Sequence, residues 1–234
     1  MARLRTLALM GAAVCMAPVA QAADWPAAPP PIEEAPVLIQ EFASGWYIRG
    51  DVGYRFNHAS GGSAFGTNFD SNKVDDAFAF GGGFGWKSGW FRSDLTLDYM
   101  MPPRFTGTSA GTTLVKSEIS AYTTLLNGYV DLGTWWGFSP YIGAGVGASF
   151  LRTGGFDAVF PGPGAVVSHP AQWDFAWAAM AGFAYTIYPN LMVDVGYRYL
   201  HMGAAKTDVD PFGAVTYGDL SANEVRVGFR YLLD

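Results

Sequence analysis

From Gly45 onward, apolar and polar residues alternate along the chain with a period of two. In the first such segment, Gly45 to Asn57, Trp46, Ile48 and Val52 fall on one face, and Arg49 and Asp51 fall on the other. Successive side chains of a β-strand point to opposite faces, whereas a helix would repeat about every 3.6 residues. The pattern therefore predicts a strand with one apolar and one charged face.

The same alternation returns in seven further segments, which makes eight predicted strands. They are Asp76 to Trp86, Phe91 to Tyr99, Ser117 to Leu132, Tyr141 to Phe150, Gln172 to Tyr185, Leu191 to Tyr199 and Ala222 to Leu233. A tilted strand of roughly 9–11 residues is long enough to cross a bilayer. The connections between the segments alternate between long and short, an arrangement typical of outer-membrane barrels. We expect an all-β fold: an eight-stranded antiparallel up-and-down transmembrane barrel.

A soluble sandwich or a lipocalin-like barrel is the alternative. Either fold would have to fit the larger, aromatic face inside and leave small Ala and Gly residues in water, so lipid outside the barrel fits the pattern better. Aromatic residues beside the short turns agree with a belt at the membrane interface. These predicted belt residues are Trp46, Trp86, Trp90, Trp135, Trp136 and Tyr188.

The opposite face collects six arginines and seven acidic residues. They are Arg49, Asp51, Arg55, Arg92, Asp94, Asp98, Asp131, Asp174, Asp194, Arg198, Glu224, Arg226 and Arg230. An eight-stranded barrel is only wide enough for its own side chains, so these charges should pair in the lumen. We expect a neutralised ion-pair network, with the arginines of the last strand holding neighbouring carboxylates. A narrow ion path through the same residues is the alternative.

The N-terminal segment differs from the rest of the chain. Arg3 and Arg5 precede an apolar run, and small residues then predict signal-peptide cleavage between Ala22 and Ala23. Residues 1–22 are therefore expected to be a signal peptide, 23–44 a Pro-rich periplasmic tether and 45–234 the barrel. Without Arg3 and Arg5, 12 basic residues stand against 20 acidic ones. This acidic balance argues against a nucleic-acid partner.

Four stretches carry a resemblance to a known family. They are Gly45 to Tyr54, Ser139 to Gly147, Asp194 to Tyr199 and Glu224 to Tyr231. They resemble eight-stranded outer-membrane barrels of the OmpA-like and opacity type, especially alphaproteobacterial surface antigens labelled porin family proteins. The resemblance implies location in the outer membrane of a Gram-negative bacterium. It also implies contact with outer-membrane lipid and recognition by the barrel assembly machinery.

Chemistry beyond the barrel has few candidate residues. His58, His169 and His201 fall in the predicted long loops, and no carboxylate is placed to orient any of them. We therefore expect no enzyme activity, no cofactor and no metal, and we expect a structural and surface-interaction role. A small-solute pore and an outer-membrane lipid-modifying enzyme are the alternatives. The loops also carry Phe65, Phe69, Phe105, Phe156, Phe160 and Phe212, which form either a lid over the barrel mouth or a site for an extracellular ligand.

Overall fold

The computed structural model describes residues 44–64, 66–158, 166–168, 171–210 and 213–233. The predicted signal peptide, its cleavage site at Ala22 and Ala23, and residues 23–43 of the predicted tether lie outside the described residues. His169, Phe65, Phe160 and Phe212 also lie outside them.

Eight long strands form the barrel wall. They are β1 (Ser44–Ser60), β2 (Ala77–Ser88), β3 (Phe91–Met100), β4 (Thr112–Asp131), β5 (Phe138–Ala158), β6 (Gln172–Tyr188), β7 (Leu191–Asp210) and β8 (Gly213–Leu233). Each strand pairs antiparallel with the next one in sequence, and β8 pairs with β1 from Trp46–Leu233 to Ser60–Asp219. The predicted eight-stranded antiparallel barrel is confirmed, and its closure leaves no free edge within the wall.

The predicted facing of the side chains follows from this pairing. On β1, Ile48 is 47% exposed, whereas its neighbour Tyr47 is fully buried. Apolar residues point outward on the other strands as well, with Phe84 at 47% and Leu126 at 57% exposed. A continuous apolar exterior around a charged interior is the arrangement that lipid stabilises.

The strands are longer than the sequence pattern indicated, and this corrects the predicted loops. β5 extends to Ala158, β7 extends to Asp210 and β8 begins at Gly213, so much of the long connections is β-structure. Short strands at Ser63–Ala64, Thr67–Asn68, Ser71–Val74, Arg104–Ser109 and Val166–Ser168 complete this rim. In the rim, buried apolar residues such as Val74, Phe105 and Val115 face inward, and charged residues face outward. This facing is the reverse of that in the wall, so a search for strands with an apolar outer face does not identify the rim. His58 and His201 consequently lie in strands rather than in loops.

The interior has two layers, of which only one was expected. The half of the interior next to the rim is filled by an apolar cluster that includes Met100, Ile119, Leu125 and Leu151. Phe105, from the rim strand Arg104–Ser109, is fully buried against this cluster, and Phe69 packs on it. These two rim residues therefore pack against the interior of the barrel. Leu125 faces inward and its neighbour Leu126 faces outward. Because both are apolar, the alternation of apolar and polar residues does not show that Leu125 belongs to the interior.

None of the described residues forms a helix that is long and apolar enough to span a membrane.

Candidate functional site

The most chemically distinctive part of the molecule is the ionic layer inside the barrel. The upper part of this layer is the part nearer the rim, next to the apolar cluster. It is built around Glu224 and Arg198, which are opposite each other on β8 and β7. Arg198 Nη2 lies 2.7 Å from Glu224 Oε2, and its Nη1 lies 2.8 Å from Asp98 Oδ2 on β3. Arg55 Nε on β1 lies 3.2 Å from the same Glu224 oxygen. Four strands are therefore tied together through two carboxylates.

Arg226 lies at the centre of the lumen and joins the two parts of the layer. Its Nη2 donates to Asp98 Oδ1 at 2.6 Å and also contacts the carboxylate of Asp51. Gly81 makes this approach possible, because a Cβ at that position would overlap Asp98 and Arg226. Asp51 is in turn bound by Arg49 at 3.1 Å.

The lower part is organised by Asp94. Its carboxylate accepts hydrogen bonds from Tyr47 Oη at 2.9 Å, Arg49 Nη1 at 3.1 Å and Asn127 Nδ2 at 2.8 Å. Tyr129 Oη also contacts it at 3.4 Å. A buried carboxylate with several donors of this kind is well compensated for its loss of water.

At the periplasmic end, two cations share one carboxylate. Asp131 binds Lys87 at 2.8 Å and Arg92 at 3.2 Å. The Arg92 guanidinium lies 4.3 Å from the ring centre of Tyr129 and 4.8 Å from that of Tyr141. Its Nε and Nη1 have no hydrogen-bond partner among the described residues, so the aromatic faces provide the remaining favourable contact.

Two charged residues differ from the expectation. Lys87 directly follows the predicted strand Asp76 to Trp86 and is absent from the predicted lumen residues, but it is buried on the inner face, as its position next to the outward-facing Trp86 requires. Asp174 was expected in the network but, among the described residues, it accepts hydrogen bonds from the backbone amides of Phe175 and Ala204 instead. It lies at the rim end of β6, against the left-handed Gly203 of β7, away from the arginines.

The other twelve charged residues assigned to the lumen do lie together in it. Arg230 binds Asp194, which completes the set of pairs. With Lys87 included and Asp174 excluded, seven cationic side chains face six carboxylates inside the described barrel. The interior therefore has one positive charge in excess rather than one negative charge.

Two small cavities lie between the inward-facing side chains. A cavity of about 20 Å³ lies in the ionic layer, lined by Arg49, Asp51, Tyr129, Arg198 and Arg226 among others. A second cavity, of about 10 Å³, lies next to the apolar cluster. A buried water needs roughly 10–15 Å³, so each cavity holds about one water molecule.

The six aromatic residues assigned to the interface belt are all exposed beside the short turns. Trp46 stacks on Phe84 with 4.9 Å between ring centres, and Trp136 in the β4–β5 turn is 93% exposed. A second aromatic row lies at the rim end of the barrel. It contains Tyr99 against Tyr122 and Phe150 against Trp173, each pair with ring centres 4.9 Å apart.

The two described histidines face outward at the rim. His58 and His201 are both opposite Ser221 in the strand register, and the His201 ring stacks on Trp177. No described carboxylate hydrogen-bonds either imidazole. Among the described residues, no group of three or more His, Cys, Asp and Glu side chains could hold a metal ion.

A closed antiparallel barrel with an apolar exterior, a buried ionic interior and one extended rim defines an outer-membrane β-barrel protein. The chain belongs to the outer membrane protein beta-barrel domain family, whose model matches residues 6–231. Its location is therefore the outer membrane of a Gram-negative bacterium.

Relatives and solved structures agree with this assignment. A protein of Brucella suis biovar 1 is 32% identical over 218 residues, which cover 78% of this chain and 76% of that protein. The outer membrane protein PagN of Salmonella typhimurium is 33% identical over 90 residues, which cover 38% of this chain and 37% of PagN. The crystal structure of OprG from Pseudomonas aeruginosa covers 82% of this chain and 96% of its own, with 18% identity and a TM-score of 0.54, and shows the same fold.

Proposed function

We propose that this protein is a non-conducting barrel that contributes to envelope integrity and presents its extracellular rim for surface interactions. The observation that carries the proposal is the filled interior. Its ionic layer and its apolar cluster lie one above the other, and the cavities of about 20 and 10 Å³ described in them would each hold about one water molecule.

Both layers oppose the passage of ions. A permeating ion would have to replace buried pairs such as Arg198–Glu224, and each buried charge that loses its partner costs several kcal/mol. It would then have to pass the apolar cluster, where buried hydroxyls such as those of Thr123 and Ser149 are too few to replace the water around an ion. Either barrier alone is large compared with thermal energy.

The rim supports the second half of the proposal. β4, β5, β7 and β8 continue past the outer aromatic row, so the extracellular surface rests on the same strands as the wall. A relative in Rickettsia bellii, described as a candidate adhesin, is 28% identical over 181 residues, which cover 72% of this chain and 77% of that protein. We propose an extracellular ligand of the rim, outer-membrane lipid and the barrel assembly machinery as the partners, and we place no catalytic residue.

Single-channel recording of the refolded protein in planar bilayers tests the closed interior. We expect no steady openings, because an ion would have to separate buried pairs such as Arg198–Glu224 and then pass the apolar cluster. Vesicle flotation of the same preparation should confirm that the barrel has inserted. Stable openings whose amplitude increases with salt concentration would contradict the proposal and support the small-solute pore.

A further inference from the structure

The basic residues of the described chain are divided between two places. Seven of them lie inside the barrel. The other five are exposed at the extracellular rim: Lys73, Arg104, Lys116, Arg152 and Lys206. Four of these five lie on one part of the rim, the sheet formed by Ser71–Val74, Arg104–Ser109, the start of β4 and the end of β5. Lys206 lies on β7, on the other part of the rim.

The strand register places Arg152 and then Arg104 directly beyond the outer aromatic row, and Lys116 and Lys73 one step further out. Tyr122 faces Phe150, and Phe150 faces Trp173, in the outward row. Two residues further along each strand, Ser120 faces Arg152, and one further step brings Arg104 opposite Glu118. Each step of two residues is about 7 Å along a strand.

These side chains point sideways from the barrel rather than upward into bulk water. They share the outward parity of Tyr122 and are exposed. Aromatic rows of this kind mark the boundary of the hydrocarbon layer, so the groups just beyond them meet lipid headgroups. Lys73, one step above Arg104, forms a long 3.8 Å contact with Asp75.

The two arginines are available for an external anion. Neither Arg104 nor Arg152 takes part in the ion pairs formed among the described side chains, although Glu118 is opposite Arg104 in the register. A free guanidinium presents a planar set of donors that matches phosphate oxygens and can bind them in a bidentate manner. On the other part of the rim, Asp219 is exposed and Asp174 is already bound by backbone amides.

We propose that Arg104, Lys116 and Arg152 form a basic rim patch that binds the phosphate groups of anionic lipid in the outer leaflet. The lipid is favoured over a soluble polyanion because Arg152 is only one strand step from the lipid-facing Phe150 and Trp173. The patch does not depend on the closed interior, since a conducting barrel could bind the same lipid.

Lipid-dependent stability measures this binding. Wild-type protein, an Arg104→Gln/Arg152→Gln variant and a Lys206→Gln control are refolded into phosphatidylcholine vesicles, with and without diphosphorylated lipid A. We expect lipid A to raise the urea midpoint of the wild type and of the control, and to raise that of the double variant by less than half as much. Lipid A retained after detergent extraction should fall about tenfold in the double variant, because two charge-assisted contacts are lost.

Two further arms separate the explanations. Lipid A without its phosphates should stabilise none of the proteins, and Arg104→Lys/Arg152→Lys should recover part of the effect because the charge remains. All variants should have the same urea midpoint in phosphatidylcholine alone, and this result excludes misfolding. If the Arg→Gln double variant does misfold, the Arg→Lys double variant and the dephosphorylated lipid still test the patch. An equal gain in wild type and double variant would overturn the proposal. Binding of soluble heparin through Arg104 and Arg152, without an effect of lipid A, would also overturn it.

Discussion

Glycines decide at the residue scale whether the large cations fit into so narrow a barrel. A Cβ at Gly53 would overlap the Glu224 carboxylate, and one at Gly143 would overlap the Tyr129 ring. Both glycines face inward. Gly143 is opposite Tyr129 in the register, and Gly53 lies on β1 next to β8, the strand that carries Glu224. The inward glycines recognisable in the sequence therefore act as space for neighbouring charges and rings, which close packing requires. They form no nucleotide-binding loop, because they lie within strands.

Replacing Arg226 with Ala tests the network at its central residue. Asp51 and Asp98 would each lose one of two cations and remain buried, so we expect a loss of about 3 kcal/mol in the free energy of unfolding. Urea unfolding in lipid vesicles measures this loss. The exposed Lys206→Ala is the matched control and should change stability by less than about 0.5 kcal/mol. An unchanged urea midpoint for Arg226→Ala would show that the contacts of Arg226 with Asp51 and Asp98 do not stabilise the barrel.

The rim is the element that sequence alternation described least well. The short strand Arg104–Ser109 pairs with β4 and turns Phe105 inward, where it meets Tyr217 of β8 edge-to-face with 4.8 Å between ring centres. That contact joins rim segments more than a hundred positions apart in the chain. The pattern around Phe105 gave no sign of the pairing, because Pro102 and Pro103 precede it and Gly107 interrupts it. Its inward packing therefore depends on the tertiary structure.

Phe105→Ala should therefore loosen the rim without unfolding the wall. Removing a fully buried phenyl ring costs about 3 kcal/mol, which corresponds to about a hundredfold larger population of the opened segment. We expect a protease added outside vesicles to cleave this variant faster than the wild type, and only at sites in the rim. Met101→Ala, at a nearby exposed position, is the control and should be cleaved at the wild-type rate. Cleavage at the wild-type rate would mean that Phe105 does not close the mouth.

Lipid is part of the structure at the scale of the whole molecule. The outward residues of the described strands would be an exposed hydrophobic surface in water, and the same residues are favourable in hydrocarbon. Two aromatic rows, one beside the short turns and one below the rim, limit this apolar band. Only 15% of the residues are charged, well below the share typical of soluble domains, and an exterior solvated by lipid explains this low share.

A charge placed in the middle of this band tests the position of the barrel in the bilayer. Leu95 is 55% exposed and lies midway between Trp90 and Tyr99. Leu95→Arg should cost about 2–4 kcal/mol of folding free energy in vesicles, as expected for Arg at the bilayer midplane. Ser60→Arg, at the rim end of β1, should cost about 0–1 kcal/mol because it lies near or beyond the interface. Equal costs at the two sites would contradict the proposed membrane band.

The sequence alone determined the number of strands in the barrel wall, their facing and the environment outside them. Alternation is a local property: Trp46, Tyr47 and Ile48 already show which face meets lipid, whatever the partner strands are. It also placed twelve of the charged residues on the side where they lie in the structure. Lys87 could have been recognised by the same parity rule.

Only the tertiary structure decided which charges pair and which do not. Arg55 meets Glu224 across 169 positions of the chain, and Arg226 meets Asp98 across 128. Both contacts depend on the stagger between the strands of the closed barrel. The same strand register leaves Asp174 outside the ionic network and places the apolar cluster between that network and the rim. Strand register is a property of the closed barrel, and it turns a row of charged positions into a set of buried ion pairs with one excess positive charge.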